Sequence, residues 1–226
     1  MRIGILREEK IPSDERVVLT PKQCKWITEN TNIDLVVKSS DIRCFPDSDY
    51  SNLGIEVVNN LSDCDILLGV KEVPISSLIS DKIYFYFSHT IKEQSYNREL
   101  LQAMVQKNIT MIDYEVLKDK NNKRLIGFGR YAGIVGAYNA LLTYGLKSDK
   151  FFLKAANICS GINEVHQELN KIKLSTEKII LTGNGRVSNG ALEILRKANI
   201  KEVSKEYFIT KTFNHPVFCI LNTMDY

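Results

Sequence analysis

The stretch of sequence that decides the fold class is Lys178-Ile179-Ile180-Leu181-Thr182-Gly183-Asn184-Gly185-Arg186-Val187-Ser188-Asn189-Gly190-Ala191. It starts as an apolar run typical of a strand, bends at Gly183 and Gly185, and continues with apolar residues at helical spacing. This change of period predicts a strand, a tight turn and a helix. One face of the predicted helix carries Val187, Ala191, Ile194, Leu195 and Ala198.

The turn has the features of a dinucleotide-binding site. Glycines let a backbone approach a ligand closely, and the first free N–H groups of a helix favour a pyrophosphate. The motif departs from G-x-G-x-x-G because a serine holds the third glycine position, although serine is small enough for close packing of helix on strand. An ordinary strand-to-helix turn is the alternative. The predicted cofactor-binding residues of the turn are Gly183, Gly185, Arg186, Val187 and Ser188.

Composition excludes several classes of protein. The chain has 226 residues, of which 44% are hydrophobic and 25% charged, enough for one large domain or two small ones. The net charge of +3 is spread over interleaved acidic and basic residues, so neither nucleic acid nor an anionic membrane is expected as a partner. The five cysteines are widely spaced without a C-x-x-C pair, which argues against a disulfide framework and against a metal site. No apolar run approaches the roughly 20 residues of a membrane span, and the chain opens directly into a strand, so a cytoplasmic protein is predicted.

The rest of the chain alternates between strand and helix patterns, which predicts a parallel α/β sheet. Thr20 and Pro21 mark a helix start, after which Trp26 and Ile27 are expected to face the core. The predicted strands are Arg2–Leu6, Asp34–Val37, Ile55–Val58, Asp65–Val70, Lys82–Phe87 and Ile109–Tyr114, with Arg124–Phe128 also extended. Helical spacing is predicted for Glu93–Gln106 and Ile162–Ile172, with His166 exposed on the second of these helices.

Polar residues follow several of these strands. Open parallel sheets bind ligands beyond the carboxyl ends of their strands. Each candidate alone is more often a solvated surface residue or a packed core residue than a catalytic one. Their coincidence at one sheet edge is the evidence, and it predicts that they converge on one cleft. The candidates are Arg16, Lys71, Glu72, His89 and Glu115.

Three motifs resemble a known family. They are R-x-x-L-T-P at residues 16–21, K-E-x-P at residues 71–74 and S-H-x-x-K at residues 88–92. They look like the amino-terminal domain of the alanine dehydrogenase, saccharopine dehydrogenase and transhydrogenase group, and the resemblance covers essentially the whole chain. Residues 113–117 and 128–137 are more similar to the lysine-forming saccharopine dehydrogenases, including the reductase half of the bifunctional lysine-degrading enzyme.

The resemblance implies a nicotinamide-dependent oxidoreductase acting on CH–NH bonds. Its reaction would interconvert saccharopine with lysine and 2-oxoglutarate. By this resemblance, Lys71 would accept a proton from the substrate's secondary amine as hydride leaves for nicotinamide. His89 would act as general acid and base in hydrolysis of the resulting imine, for which its ordinary pKa of about 6.5 is suited. Glu72 and Glu115 would tune these two groups.

The resemblance also implies the substrate contacts. The forked donors of the Arg16 guanidinium suit a substrate carboxylate, and Lys92 and Arg124 would be further carboxylate contacts. An alanine dehydrogenase-like enzyme would use Arg16, Lys71 and His89 in much the same way on pyruvate and ammonia. That alternative therefore stays open.

Two domains are predicted, with a substrate or catalytic domain of Rossmann-like α/β fold at residues 1–130 and a linking helix plus partial dinucleotide-binding domain at residues 131–226. Small residues between Gly129 and Gly145 predict the linking helix, and a buried core helix without a hinge role is equally compatible with them. A dinucleotide fold needs about six strands, yet only residues 178–226 remain for it. The expectation is the amino-terminal part of a dehydrogenase, either an enzyme or a truncated, non-catalytic fragment. The oligomeric state, a homo-oligomer included, stays open.

The choice between NAD and NADP depends on the second strand of the nucleotide fold, predicted at Ile200–Val203. An acidic residue at its tip would accept hydrogen bonds from the ribose of NAD and repel the phosphate of NADP. Here the tip reads Ser204 and Lys205, which would suit that phosphate and favour NADP. Glu202 or Glu206 turned inward would favour NAD instead. Val217–Leu221 is the predicted third strand.

Overall fold

A computed structural model describes residues 1–225, and the chain divides into two compact units, Met1–Gly127 and Phe128–Tyr226. The predicted domain boundary after residue 130 lies close to this division. The first unit contains β1 (Arg2–Ile5), α1 (Pro21–Asn30), β2 (Asp34–Lys38), α2 (Asp47–Ser51), β3 (Glu56–Val58), β4 (Ile66–Lys71), β5 (Ile83–Phe87), α3 (Arg98–Gln106) and β6 (Thr110–Asp113). The second contains α4 (Gly129–Ser148), α5 (Ile162–Glu168), β7 (Lys178–Thr182), α6 (Arg186–Lys197), β8 (Lys201–Glu202), α7 (Lys205–Thr210) and β9 (Val217–Leu221).

The first unit is built on a parallel six-stranded sheet with the order β3-β2-β1-β4-β5-β6. The α/β fold class predicted from the sequence is therefore confirmed. The chain adds β2 and β3 on one side of β1 and then returns to place β4 on the other side. In sheets of this order the ligand crevice lies beyond the carboxyl ends of the strands where the direction reverses. Here that position is the junction of β1 and β4.

Both faces of the sheet are covered. In β2, Val36 packs into one hydrophobic cluster, whereas its neighbours Leu35 and Val37 pack into another. Successive strand residues point to opposite faces, so a strand covered on both sides is apolar throughout. This explains the continuous apolar runs that identified the strands.

The start of α1 agrees with the prediction. The Thr20 side chain accepts a hydrogen bond from the Gln23 N–H, the Gln23 side chain accepts one from the Thr20 N–H, and Pro21 opens the helix. The prediction that Trp26 faces the core is wrong, because its side chain is 61% exposed. Cys24 and Ile27, three residues apart, share the inward face instead, and Trp26 points away from it.

Some predicted elements are shorter than expected. Helix α3 begins only at Arg98, because Glu93 takes a left-handed backbone with φ of 52° and residues 95–97 form a 3₁₀ turn. The predicted extended segment Arg124–Phe128 forms no strand. It makes one isolated antiparallel bridge, between Arg124 and Lys118. The predicted helix over 162–172 is α5 followed by a 3₁₀ turn, Leu169–Lys171.

The second unit contains a three-stranded parallel sheet with the order β7-β9-β8. All three predicted strands of this region are present. The third strand in sequence, β9, lies between the first and the second. The carboxyl end of β8 is therefore two strand spacings, about 10 Å, from that of β7.

Helices α4 and α6 cross at a pair of glycines. A Cβ atom added at Gly133 would lie 1.8 Å from the Val187 carbonyl oxygen, and one added at Gly190 would lie 1.9 Å from the Arg130 carbonyl oxygen. Any side chain at either position would force the helices apart. The small residues predicted to allow close helix packing therefore do so within the second unit.

The predicted inner face of α6 is only partly buried. Ala191, Ile194 and Leu195 are buried, but Val187 in the first turn is 55% exposed. Val187 lines an open apolar groove of about 510 Å³ together with Gly136 and Ile180. Because Val187 faces this groove, the helical pattern overestimated burial at this residue.

Candidate active site

The carboxyl edge of the six-stranded sheet brings together residues from the ends of β4, β5 and β6. Lys71 is the last residue of β4 and Glu72 follows it, while His89 and Glu115 each lie two residues past a strand. The closest approach between Glu72 and His89 is 3.9 Å, from Oε2 to Nδ1. The charges of Lys71, Glu72 and Glu115 all act on His89. The structure thus places these four predicted residues in one cluster.

His89 is held in an unusual backbone conformation. Its φ of 57° and ψ of 6° are left-handed, a conformation that costs a residue other than glycine about 1–3 kcal/mol and is frequent at functional sites. The Asn97 side chain donates to the His89 carbonyl at 3.3 Å, and the imidazole stacks on Phe87 with ring centroids 6.5 Å apart. Burial and the nearby charges of Lys71 and Lys92 lower the pKa of His89. The imidazole is therefore neutral and able to accept a proton at neutral pH.

Glu72 is anionic and only partly satisfied. Burial alone would raise the pKa of Glu72, but the hydrogen bond from Lys10 and the charges of Lys10 and Lys71 outweigh it and lower the pKa. Lys10 contacts Oε1. Oε2 is buried and has no hydrogen-bond partner among residues 1–225. This oxygen faces His89 and is free to bind a cationic group of a ligand.

Glu115 lies between two cations. The Arg124 Nη1 donates to Oε1 at 3.3 Å, and the Lys92 Nζ lies 3.3 Å from Oε2. The Arg124 guanidinium also lies over the Phe87 ring, 5.8 Å from its centroid. Lys92 and Arg124 were both predicted to bind substrate carboxylates. They lie next to the cluster, where their two positive charges are paired with the single carboxylate of Glu115.

Lys71 differs from the other cations of the cluster. In the described part of the chain, no carboxylate oxygen lies within 4.0 Å of its ammonium group. Its backbone N–H donates to Glu8 Oε2 at 2.9 Å, and the Val70 N–H donates to Glu8 Oε1 at 2.7 Å. The pairing register between β4 and β5 also shifts between Leu68 and Lys71. The backbone of Lys71 is thus fixed while its amine stays without an acidic partner.

Sequence reasoning missed Glu8 as a site residue. Glu8 is 7% exposed, and burial raises the pKa of its carboxyl even though two backbone N–H groups partly offset that effect. It ties the chain after β1 to the end of β4. The available signal was a glutamate two residues past the predicted first strand, Arg2–Leu6.

Sequence reasoning also missed Asp113 as a site residue. It is buried at the end of β6, and its Oδ2 accepts hydrogen bonds from the Ser88 N–H at 3.1 Å and the Ser88 hydroxyl at 2.6 Å. Its Oδ1 accepts from the Glu115 N–H at 2.8 Å. Asp113 therefore fixes the segments that carry His89 and Glu115.

Arg16 lies in the loop after β1 and bonds to an acid in that loop. Its Nε donates to Asp14 Oδ1 at 2.8 Å, and its Nη2 donates to Oδ2. The hydrogen bond from Arg16 is the main cause that lowers the pKa of Asp14, and the charge of Lys71 contributes. The charge of Glu8 also contributes to raising the pKa of Arg16. The loop therefore returns to the cluster, with Asp14 orienting the guanidinium.

The glycine turn before α6 has room for a phosphate. Gly183 has a φ of +85°, which requires glycine, and a Cβ added at Gly183 or Gly185 would meet no atom within 4 Å. The Ser188 hydroxyl donates to the Gly183 carbonyl at 2.6 Å and ties the helix to the turn. Helix α6 starts at Arg186 without a side-chain cap. Its first N–H groups and the open turn fit a pyrophosphate.

Ser204 and Lys205 are not brought to this turn. The Ser204 hydroxyl caps α7 by accepting from the Tyr207 N–H at 3.2 Å, and the Lys205 ammonium contacts Asp225. Strand β9 separates their strand from β7. Glu202 accepts a hydrogen bond from Arg196 at 3.0 Å. Their predicted role at the ribose therefore stays a prediction.

The first unit is thus a doubly wound α/β domain with a lysine, a histidine and two glutamates at the carboxyl edge of strands β4, β5 and β6. Residues 4–135 match the family described as "Alanine dehydrogenase/PNT, N-terminal domain". The chain belongs to this family, and the resemblance predicted from the sequence is confirmed.

Similar proteins add detail. The alpha-aminoadipic semialdehyde synthase of Arabidopsis thaliana is 31% identical over 220 residues, covering 86% of this chain and 20% of the synthase. The L-lysine-forming saccharopine dehydrogenase [NAD(+)] of Yarrowia lipolytica is 26% identical over 213 residues, covering 87% of this chain and 58% of the enzyme. This chain therefore spans only part of these relatives. They support the saccharopine branch within the family.

Solved structures agree on the fold. An L-alanine dehydrogenase superposes with a TM-score of 0.65 at 18% identity, covering all of this chain and 62% of that one. A transhydrogenase from Sinorhizobium meliloti gives a TM-score of 0.62 at 17% identity, covering 91% and 59%. Among residues 1–225, none of the helices combines the length and the apolar character that crossing a membrane requires.

Proposed function

We propose that this chain carries the substrate side of a nicotinamide-dependent oxidoreductase that acts on CH–NH bonds and interconverts saccharopine with lysine and 2-oxoglutarate. The observation that carries the proposal is the arrangement at the carboxyl ends of β4 and β5. There Lys71 has no carboxylate partner within 4.0 Å among the described residues, and it lies beside a neutral His89 and an anionic Glu72. A base and an acid–base group placed side by side suit removal of a proton from an amine followed by hydrolysis.

The two groups divide the proton transfers between them. Lys71 takes the proton from the secondary amine of saccharopine. His89 then takes a proton from the water that attacks the imine carbon and returns it to the departing amine. The unpartnered Glu72 Oε2 stabilises positive charge on His89 during that step, because it lies 3.9 Å from Nδ1.

Cations at the rim favour a substrate with several carboxylates. Arg16 pairs with Asp14, and Lys92 and Arg124 both pair with Glu115. Saccharopine presents carboxylates at both ends and can engage all three cations. Pyruvate presents one, which is the alanine dehydrogenase-like alternative. The additional cations therefore favour saccharopine.

A nicotinamide dinucleotide is the proposed cofactor, and its pyrophosphate would bind at Gly183, Gly185 and the first N–H groups of α6. When bound, the cofactor supplies the hydride acceptor. NADP, with Lys205 facing its additional phosphate, is kept as the proposal made from the sequence. The contact of Lys205 with Asp225 gives this preference no support, and the Yarrowia lipolytica relative is named for NAD(+).

A cytoplasmic location also remains a proposal. The five cysteines are free thiols, which suits a reducing compartment. Another relative, the alpha-aminoadipic semialdehyde synthase of Rattus norvegicus, is named as mitochondrial. Fractionation of cells that express the protein would show which compartment holds it.

The test replaces Lys71 by Met and uses Lys22→Met, an exposed residue of α1, as the matched control. Turnover is read from reduced-nicotinamide absorbance with lysine plus 2-oxoglutarate and with pyruvate plus ammonia. Loss of a positioned proton acceptor lowers turnover by about 10²–10⁴-fold. The Lys71→Met variant should show that loss while it still binds saccharopine in calorimetry.

Unchanged turnover in Lys71→Met would show that Lys71 is not the proton acceptor of the reaction. Turnover with pyruvate plus ammonia alone would select the alanine dehydrogenase-like alternative. Saccharopine binding without turnover in the parent chain would identify a binding unit in place of a complete enzyme.

A further inference from the structure

The segment Arg7–Lys10 separates two spaces. Glu8 and Lys10 bond to the chain at Val70–Glu72, on the side of the candidate active site. Arg7 and Glu9 bond to each other and to groups on the opposite side. Alternation of this kind is expected of an extended segment, in which successive side chains point in opposite directions.

The second space is a cavity of about 240 Å³ within the first unit. It lies beyond the carboxyl ends of β2 and β3, because Lys38 ends β2 and the Asn59–Asn60 pair follows β3. Arg7 and Glu9 supply the wall on the side of β1. Like the cluster of Lys71, Glu72, His89 and Glu115 (the Lys71 cluster), it lies at the edge of a parallel sheet where ligands bind.

The polar wall of the cavity is rich in donors. Glu9 is its only acidic residue, and its Oε1 accepts from Arg7 Nε at 3.2 Å, Arg7 Nη2 at 2.8 Å and Lys38 Nζ at 2.8 Å. The Asn60 Oδ1 accepts from the Ser62 N–H at 2.8 Å. Arg7 Nη1 and Asn60 Nδ2 donate to no group within the described range, residues 1–225. Because the cations Arg7 and Lys38 surround the single carboxylate of Glu9, this wall has a net charge of +1. It also has two hydrogen-bond donors that are unused among the described residues, Arg7 Nη1 and Asn60 Nδ2.

A second part of the lining is an apolar wall, formed by Leu6, Val73 and Ile79 among others. A cavity of about 240 Å³ has room for a small ligand of several non-hydrogen atoms. A group of this size with one carboxylate end and one branched hydrocarbon end matches both walls. Inorganic phosphate matches the donors but leaves the apolar wall unpaired.

We propose that this cavity is a second ligand site that binds a small aliphatic carboxylate, back to back with the Lys71 cluster. The carboxylate accepts hydrogen bonds from Arg7, Lys38 and Asn60, and the hydrocarbon end packs against Leu6 and Val73. The site goes beyond the proposed reaction, since none of its polar residues belongs to the Lys71 cluster.

The test titrates the ¹⁵N-labelled 226-residue chain with isovalerate and follows the backbone amide signals by NMR. Saturable shifts are expected at Asn59, Asn60 and Ser77, with a Kd of about 1 mM for so small a ligand. Isovaleramide, which has the same shape without the charge, should give no saturable shift. Inorganic phosphate should bind at least about tenfold more weakly.

Two variants locate the site. Asn60→Asp keeps the acceptor for the Ser62 N–H but replaces the free amide donor by a negative charge, so isovalerate affinity should fall about tenfold or more with the fold intact. Lys38→Met should have a similar effect. Lys92→Met, the same substitution at a cation of the other cluster, should leave the shifts at Asn59 unchanged.

Several results would overturn the proposal. Shifts confined to His89 and Glu115 would show binding only at the Lys71 cluster. Equal losses in Lys38→Met and Lys92→Met, full affinity in Asn60→Asp, or equal affinity for phosphate would each contradict the site or its ligand class. Absence of any saturable shift would do so too. If Lys38→Met fails to fold, Asn60→Asp decides the outcome.

Discussion

Replacing Glu9 by Gln tests whether this carboxylate holds the first unit together. Burial alone would raise the pKa of Glu9, but hydrogen bonds from Lys38, Ser77 and Arg7 outweigh it and lower the pKa from 4.5 to about 2. A difference of this size between the folded and the unfolded chain corresponds to about 3 kcal/mol of stability at neutral pH. The side chain is only 18% exposed, so solvent screening removes little of it.

The sign of the pH dependence follows from the lowered pKa. The stabilisation is fully present above the unfolded value of 4.5 and is lost as the pH falls towards 2. Urea unfolding is followed by the fluorescence of Trp26, which is the single tryptophan and lies in the first unit, so the probe reports on that unit alone. The parent should exceed Glu9→Gln by about 2–3 kcal/mol at pH 7, and the gap should narrow from about pH 5 to pH 3.

Glu15→Gln, at an exposed position of the same loop, controls for the removal of a surface carboxylate. Its free energy of unfolding should change by less than about 0.5 kcal/mol. A gap for Glu9→Gln below about 0.5 kcal/mol at pH 7 would refute the reasoning. So would a gap that stays constant from pH 7 to pH 3, since it would show that the Glu9 charge is not the cause.

Two further predictions concern the second unit. Gly190→Ala places a methyl group 1.9 Å from the Arg130 carbonyl oxygen, so unit 2 should lose about 3 kcal/mol or more. Gly136→Ala, in open space on helix α4, should change stability by no more than about 1 kcal/mol in thermal unfolding; equal melting temperatures of the two variants would contradict the close approach of α4 and α6 at Gly133 and Gly190. Lys205→Ala should weaken NADPH binding in a fluorescence titration if the NADP proposal holds, whereas unchanged NADPH affinity, or a parent that binds NADH equally well, would reject it.

The sequence predicted where the strands lie along the chain better than it predicted which strands pair with each other. Continuous apolar runs identified the six strands because a sheet covered on both faces leaves no polar alternation. The position of β9 between β7 and β8 could not be read in the same way. It depends on which strand edges meet, and the pattern of residues within one strand does not encode that. Trp26 was misplaced because hydrophobicity alone does not decide which face of a short helix is inward.

The candidate site shows the same division. Lys71, His89 and Glu115 were predictable because they follow strands, and all parallel strands end at one edge of the sheet. Glu8 and Asp113 were not, since their part is to accept backbone N–H groups from other strand ends. Such a partner is known only once the strand order is known.

These two buried acids fix the backbone next to Lys71 and His89, the residues to which the proposed function assigns proton transfer. Glu8 joins the chain after β1 to the end of β4, and Asp113 joins the segments after β5 and β6. Neither bridges the seam between β4 and β5, which is also where the pairing register shifts next to Lys71. Lys71 and His89 leave the sheet on the two sides of that seam. The acids therefore fix the backbone on both sides of the seam, across which Lys71 and His89 would act on one substrate in the proposed function.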